Sequence, residues 1–304
     1  MSKPVTISHL KKEFLSISAF DLDLLLENII KKPRAFILAH PEFKLSKTQI
    51  LSLKSKIKKR LKGEPLAYIL GRKEFYGLNF KVDKHTLIPR PETELIIEEA
   101  LNFMARDSRP ATFIDVGAGS GCLIITLAKL LKKKNGSPKI KHKFFGIDIS
   151  KKALEIACQN AKLHKINKKI KFLNGNLLSP IIHNPLFLAH NISFIILANL
   201  PYLTREQIKK SPTIKYEPKL ALEAGKDGLK YYRKLLKQIV FLFNFLSPSS
   251  RLRISAILEI DPGQKIKISR LVKKELPGAK IKIKKDLRGH NRIIVLKIKS
   301  RRRK

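Results

Sequence analysis

Ile114-Asp115-Val116-Gly117-Ala118-Gly119-Ser120-Gly121 decides how this chain is read. Thr112–Val116 is a short apolar run, which predicts a buried strand. The glycines after it permit a tight turn and close approach of a ligand to the backbone. Leu123–Leu131 then carries a helical pattern. The glycine spacing is G-x-G-x-G, whereas a dinucleotide turn uses G-x-G-x-x-G, and Cys122 occupies that final position. Gly117, Ala118, Gly119, Ser120 and Gly121 are therefore not built primarily for a pyrophosphate.

Further strands are predicted at Lys143–Ile147, Ile170–Leu173, Phe194–Ala198, Arg253–Ile260, Lys280–Ile283 and Arg292–Ile298. Helical runs such as Lys152–His164 lie between most of them, which predicts an α/β fold with a mostly parallel sheet and helices on both faces. The last two strands have no helix-length insert between them and suit an antiparallel pair. The second strand ends in Asp148. An acidic group there can bind both hydroxyls of a ribose; it could instead cap the next helix, a role Ser150 fills equally well.

Asn199-Leu200-Pro201-Tyr202 follows the strand Phe194–Ala198. An open α/β sheet places its chemistry in loops at the C-terminal ends of strands. An NH2 group on an sp2 carbon is a poor nucleophile, because its lone pair is delocalised. The Asn199 side-chain oxygen and the Leu200 carbonyl could each accept one of its N–H bonds and so aim the lone pair at an electrophile. Tyr202 could cover the flat face of the substrate, and Pro201 stiffens the loop. An ordinary turn would use similar residues. Gly-rich turn, Asp148 and Asn199 end three strands of one sheet, so their loops converge. Together they describe a nucleoside-bearing cofactor beside a held NH2 group. S-adenosylmethionine fits best, with positioning and electrostatics supplying the catalysis.

The chain has 304 residues and a formal net charge of +40, which favours encounter with polyanions. Residues 1–70 contribute +8 and the rest +32; the end, Ser300-Arg301-Arg302-Arg303-Lys304, suits a solvated contact with RNA or the ribosome. Cys122 and Cys158 are far apart and the eight histidines form no HExxH pattern, so neither a disulfide framework nor a metal site is expected. Met1–Leu10 has no apolar core, and the most apolar region, Ile181–Leu203, is interrupted by polar residues. A soluble, cytoplasmic, monomeric protein is expected.

Residues 1–73 read as a helical module. One helix carries Leu22, Leu24, Leu25, Leu26, Ile29 and Ile30, with Asp21 near its start; a second opens at Ser46 or Lys47 with Ile50, Leu51, Leu53 and Ile57 inside. Residues 74–87 alternate around Gly77 and predict a hairpin linker, followed by the catalytic domain at 88–304.

Motifs spread along the chain resemble those of the release-factor glutamine methyltransferases, the protein-(glutamine-N5) branch of the class I methyltransferases. They include Arg34–Pro41, Gly63–Gly71, Leu87-Ile88-Pro89-Arg90-Pro91-Glu92-Thr93-Glu94, Tyr216-Glu217-Pro218, Leu220-Ala221-Leu222, Asp227-Gly228-Leu229 and Asp286-Leu287 with Gly289 and Arg292. The resemblance implies a helical bundle, a hairpin and a seven-stranded Rossmann-like methyltransferase domain. It also implies methylation of the Gln side-chain amide in the Gly-Gly-Gln loop of peptide-chain release factors. By similarity, Gly117–Gly121, Asp148, Asn176 and Leu177 would bind S-adenosylmethionine. Asn199, Leu200, Pro201 and Tyr202 would hold the substrate amide, with Asn199 also near the cofactor. Arg90, Pro91 and Glu92 would line the pocket.

The sequence departs from the family at two places. Leu200 stands where Pro is usual, which costs stiffness but leaves the main-chain acceptor. Asn176 stands where Asp is more frequent, and its amide oxygen can still accept a hydrogen bond. Asn-Leu-Pro-Tyr also occurs in ribosomal RNA adenine dimethyltransferases, where base flipping would present a similar NH2 group. Those enzymes begin near their Gly-rich strand; this chain has more than a hundred residues before it, including the Pro89–Glu94 match.

Overall fold

The computed structural model describes residues 5–107, 109–134, 142–184, 193–246 and 252–299; the basic end, 300–304, lies outside them. The chain divides into two compact units, Met1–Arg72 and Lys73–Lys304.

The first unit contains α1 (Ile7–Glu13), α2 (Ala19–Ile30), α3 (Arg34–Ala39), α4 (Lys47–Leu61) and α5 (Leu66–Leu70). Short polar caps set the starts of α1, α2 and α4, while α3 and α5 begin after Pro33 and Pro65. Ser18 opens α2 by accepting the Asp21 N–H at 3.1 Å, and Asp21 then pairs with Arg60 at 2.7 Å. Ser46 and Gln49 form a reciprocal capping box on α4, with bonds of 3.2 and 2.9 Å. Leu10, Leu25, Leu26, Ile37, Leu53 and Ile57 build the core. Leu51, expected inside, is 68% exposed. Leu53 and Ile57 define the buried stripe at i, i+4 spacing, and a residue two positions earlier points to the opposite face.

A hairpin begins at the boundary between the units: β1 (Arg72–Phe75) and β2 (Leu78–Lys81) turn at Tyr76-Gly77, both with positive φ. Phe75 and Phe80 are buried against the sheet domain. Asn160 fastens the hairpin there: its Oδ1 accepts the Lys81 N–H at 2.7 Å, and its Nδ2 donates to the carbonyls of Lys81 and Ser120 at 3.0 and 2.9 Å. The predicted linker is thus held to the glycine turn itself.

Then follow α6 (Glu94–Arg106), β3 (Thr112–Val116), α7 (Cys122–Lys134), β4 (Lys143–Asp148), α8 (Lys151–Leu163), β5 (Ile170–Asn174), α9 (Ser179–Ile182), β6 (Ser193–Ala198), α10 (Arg205–Lys209), α11 (Lys230–Leu246), β7 (Arg253–Glu259), α12 (Lys265–Glu275), β8 (Lys280–Lys285) and β9 (Asn291–Lys299). The predicted strands fall within about two residues of these bounds at each end.

The seven-stranded sheet has the order β5-β4-β3-β6-β7-β9-β8. The pairs from β5 through β7 are parallel. The expected β8–β9 pair is antiparallel, and β9 also inserts beside β7, leaving β8 at the edge. Apolar layers cover both faces. One contains Leu235, Leu236 and Ile239 of α11 with Ile268 of α12; the other contains Ile96, Ile97, Ile124 and Leu127 of α6 and α7.

The topology positions the site. The chain leaves β3 toward β4 and β5, then crosses back to β6 and β7. That reversal makes a crevice between β3 and its neighbours, where open α/β sheets bind ligands. Val116 pairs with Ile147 on one side and Ala198 on the other, so the glycine turn, Asp148 and Asn199 leave the sheet side by side.

Candidate active site

The turn after β3 is pinned to β4, because the N–H groups of Gly117 and Ala118 both donate to the Ile147 carbonyl, at 2.8 and 2.9 Å. Gly117, Gly119 and Gly121 all have positive φ. At Gly117 a Cβ would stand only 3.2 Å from Leu200 Cδ2, so a glycine here lets the cofactor turn and the Asn199 loop pack together.

Asp148 is held by backbone. Its Oδ2 accepts the Gly119 N–H and its Oδ1 the Ser150 N–H, each at 2.8 Å. Ser150 itself caps α8, accepting the Ala153 N–H at 3.2 Å. Burial pushes the Asp148 carboxyl up, and the backbone donors of Ser150, Gly119 and Ile149 oppose that. Deeper in, Asp115 is raised to about 7, mainly by burial, and accepts the Ile124 N–H at 3.3 Å. Burial also lifts the Cys122 thiol to about 12, so it stays protonated and unreactive at neutral pH.

Asn176 and Leu177 complete this half of the cleft. Leu177 has φ +56, an unfavourable conformation for a branched side chain. Gln238 of α11 holds that loop, accepting the Leu178 N–H at 2.8 Å and donating to Ser179 Oγ at 3.1 Å.

The other half is held by side chains. Asn199 Nδ2 donates to Thr93 Oγ1 at 3.0 Å, and the Thr93 hydroxyl donates to Glu259 Oε2 at 2.6 Å. Tyr202 OH donates to Glu259 Oε1 at 3.1 Å, and Tyr232 OH donates to the Glu259 backbone carbonyl. Burial raises the Glu259 carboxyl, while Thr93, Tyr202 and the Arg292 charge favour its ionised form. Gln264 Nε2 donates to the carbonyls of Tyr202 and Gly228, at 3.0 and 3.2 Å.

Gly117, Ala118, Gly119, Ser120, Asp148, Asn176, Leu177, Asn199, Leu200 and Pro201 all line one cleft, joined by Pro89, Thr93 and Tyr231. Gly121, Arg90, Pro91, Glu92 and Tyr202 are not among its lining residues. Two of these have identifiable attachments. The Arg90 guanidinium donates to the buried Glu217, which also accepts the Ile88 N–H at 3.1 Å. The Tyr202 hydroxyl is drawn back to Glu259 instead of extending over the cleft. In both cases a buried carboxylate needs donors, and these side chains supply them.

The bonds of Glu259 to Thr93 and Tyr202 were not read from the sequence, although Glu259 ends a strand in the same way as Asp148. Gln238 and Asn160 left no local signal. No group of three or more His, Cys, Asp or Glu among the described residues is placed to hold a metal ion.

Residues 107–185 match the family described as methyltransferase domain, and residues 7–71 match the PrmC N-terminal domain. The release factor glutamine methyltransferase of Dictyoglomus turgidum is 34% identical over 276 residues, covering 90% of this chain and 89% of that protein. That of Coxiella burnetii is 37% identical, covering 72% of each. The chain belongs to the release factor glutamine methyltransferase family. Its catalytic fold is that of class I S-adenosylmethionine-dependent methyltransferases. The hMettl16 catalytic domain in complex with MAT2A 3'UTR hairpin 1 superposes with TM-score 0.53 at 14% identity, over 85% of this chain and 82% of that one. At that identity the likeness concerns the fold alone. The ribosomal RNA dimethyltransferase alternative is not favoured, since this family's sequence similarity extends through the helical module as well as the catalytic domain.

The cleft fits the family's cofactor. A carboxylate at the β4 tip, a glycine turn without side chains at Gly117 and Gly119, and a loop at Asn176-Leu177 surround one space. No described helix is long and apolar enough to cross a membrane.

Proposed function

We propose that this chain methylates the side-chain amide nitrogen of the glutamine in the Gly-Gly-Gln loop of peptide-chain release factors. The observation that carries this reading is the placement of Asn199 and Asp148 on one cleft, at the ends of strands flanking β3. S-adenosylmethionine, when bound, supplies a methyl group on a sulfonium. Asp148 would hold the ribose hydroxyls, with its carboxylate kept in place by Gly119 and Ser150. Asn176 and Leu177 would border the adenine.

The chain's task toward the acceptor is to fix a planar amide. Asn199 Oδ1 would accept one N–H and the Leu200 carbonyl the other, leaving the nitrogen facing the methyl carbon in line with the sulfur. Fixing this geometry is the main catalytic contribution, since positioned reactants avoid much of the entropic barrier. The nitrogen gains a methyl group and loses a proton, while the methyl–sulfur bond breaks and the sulfur leaves as a neutral thioether. Once alkylated the nitrogen is acidic, so water suffices as the final base. We assign the reaction to the cytoplasm and to a single copy of the chain.

The test incubates the protein and methyl-labelled cofactor with three acceptors: whole release factor, the same factor with its loop Gln changed to Ala, and ribosomal RNA. Label on the first alone is expected. Label on RNA alone, or undiminished label on the altered factor, would overturn the assignment.

A further inference from the structure

We propose that Thr93 and Glu259 are positioning residues that determine which end of the Asn199 amide faces the acceptor. This inference rests on the reaction proposed above. A hydroxyl has one proton to give and two lone pairs. The Thr93 hydroxyl donates to Glu259 Oε2 at 2.6 Å. Its one proton is therefore committed. Toward Asn199, 3.0 Å away, Thr93 Oγ1 can only accept, so Asn199 must present Nδ2 to it. The planar amide then directs Oδ1 away from Thr93, leaving it free for the cleft that Asn199 lines.

The orientation matters because Asn199 has to accept a hydrogen from another NH2 group. Inverted, it would oppose donor to donor. Inversion would also set Asn199 Oδ1 against the Thr93 oxygen with no hydrogen between them. An unsatisfied buried acceptor of that kind disfavours the inverted form by roughly 10- to 100-fold.

Glu259 is suited to the task. It is 1% exposed, and its second oxygen accepts the Tyr202 hydroxyl at 3.1 Å. Tyr232 fixes its backbone carbonyl; burial raises the carboxyl, and the Thr93 and Tyr202 hydroxyls and the Arg292 charge oppose that. Both carboxylate oxygens thus receive a hydroxyl proton, and the order of donors continues outward to Asn199.

Glu259→Gln would reverse that order at nearly constant shape. With the Tyr202 hydroxyl still donating to Oε1 of the new amide, its Nε2 donates to Thr93. The Thr93 proton then loses its acceptor at position 259, and donation to Asn199 Oδ1, turning NH2 toward the acceptor, is the arrangement that satisfies it. The opposite amide orientation would strand the Tyr202 proton.

The experiment measures kcat and KM on whole release factor, cofactor affinity by calorimetry and melting temperature. It uses wild type, Glu259→Gln, Thr93→Val, Thr93→Ser and the double variant Thr93→Val/Glu259→Gln. The expected result for Glu259→Gln is a kcat loss of roughly 10- to 100-fold, with cofactor affinity changed by less than about threefold. Thr93→Val loses less, about three- to tenfold, since it releases the amide without inverting it. Thr93→Ser restores what Thr93→Val loses. The double variant turns over like Thr93→Val, because without the hydroxyl the inverted order cannot reach Asn199.

The proposal is overturned if Glu259→Gln stays within about threefold of wild type, if the two single losses multiply in the double variant, or if kcat falls only in step with cofactor affinity or melting temperature. If Glu259→Gln does not fold, the Thr93→Val and Thr93→Ser pair decides: equal kcat in the two overturns it. Failure of wild type to label release factor would instead refute the underlying reaction.

Discussion

The two halves of the cleft are built differently. On the cofactor side, a carboxylate is gripped by backbone N–H groups: Asp148 by Gly119, 29 residues away, and Ser150, two residues away. On the acceptor side, an amide is gripped by side chains: Asn199 by Thr93 across 106 residues, and Thr93 by Glu259 across 166. Backbone partners survive most substitutions. Side-chain partners depend on the identity of each member. The cofactor half should therefore lose affinity gradually, and the acceptor half should lose turnover sharply.

Asn199→Ala makes the contrast largest. Turnover on release factor should drop by about 10²- to 10³-fold, in the range for loss of a preorganised polar contact, with calorimetric cofactor affinity nearly unchanged. A variant retaining most of its kcat would dissolve the distinction between the halves. Asp148→Ala should do the reverse, weakening cofactor binding by about 10- to 100-fold while kcat at saturating cofactor stays close to wild type. Unaltered affinity in a titration would remove Asp148 from the site.

Gly228→Ala probes the support beneath the acceptor loop. Gly228 has φ +71, and a Cβ there would overlap the Tyr202 carbonyl and Gln264 Nε2. Displacing that loop should reduce kcat about tenfold and destabilise the fold by about 1–3 kcal/mol, read from denaturant midpoints. Deleting residues 1–72 should raise KM for whole release factor several-fold more than it changes cofactor affinity, an order-of-magnitude expectation for a lost docking module. Equal steady-state kinetics with and without it would assign the module no part in recognition.

The smallest effect concerns Asp115. Its carboxyl is raised from 3.8 to about 7, so between those values the native state keeps a proton that the unfolded chain has released. Stability from this group is therefore full below pH 4 and declines as pH rises to about 7, then levels off. Asp115→Asn should flatten that slope in unfolding curves collected from pH 5 to 8; an unchanged slope would assign the pH dependence elsewhere.

The legibility of the chain follows the same division. Strand and helix bounds were readable because apolar periodicity is local, and the hairpin because Gly77 permits its turn. Asp148 and Asn199 were readable because each ends a strand, and parallel register brings such ends together. Leu51 was misjudged because an apolar residue beside a buried stripe looks like part of it until the helix phase is known. Arg90 was expected to line the pocket and Tyr202 to cover the substrate; their hydrogen-bond partners, Glu217 and Glu259, stand 127 and 57 residues further along the chain.

Sequence by itself determined the α/β alternation, the glycine turn, the strand-end Asp and Asn, and the family resemblance they support. These depend on backbone geometry within a few residues. Only the tertiary structure decided that β9 lies between β7 and β8, that Asn160 ties the hairpin to the glycine turn, and that Thr93 stands between Glu259 and Asn199. Each of those pairs a polar group with a partner distant in the chain, and burial selects such partners by the need to satisfy every donor and acceptor left without water.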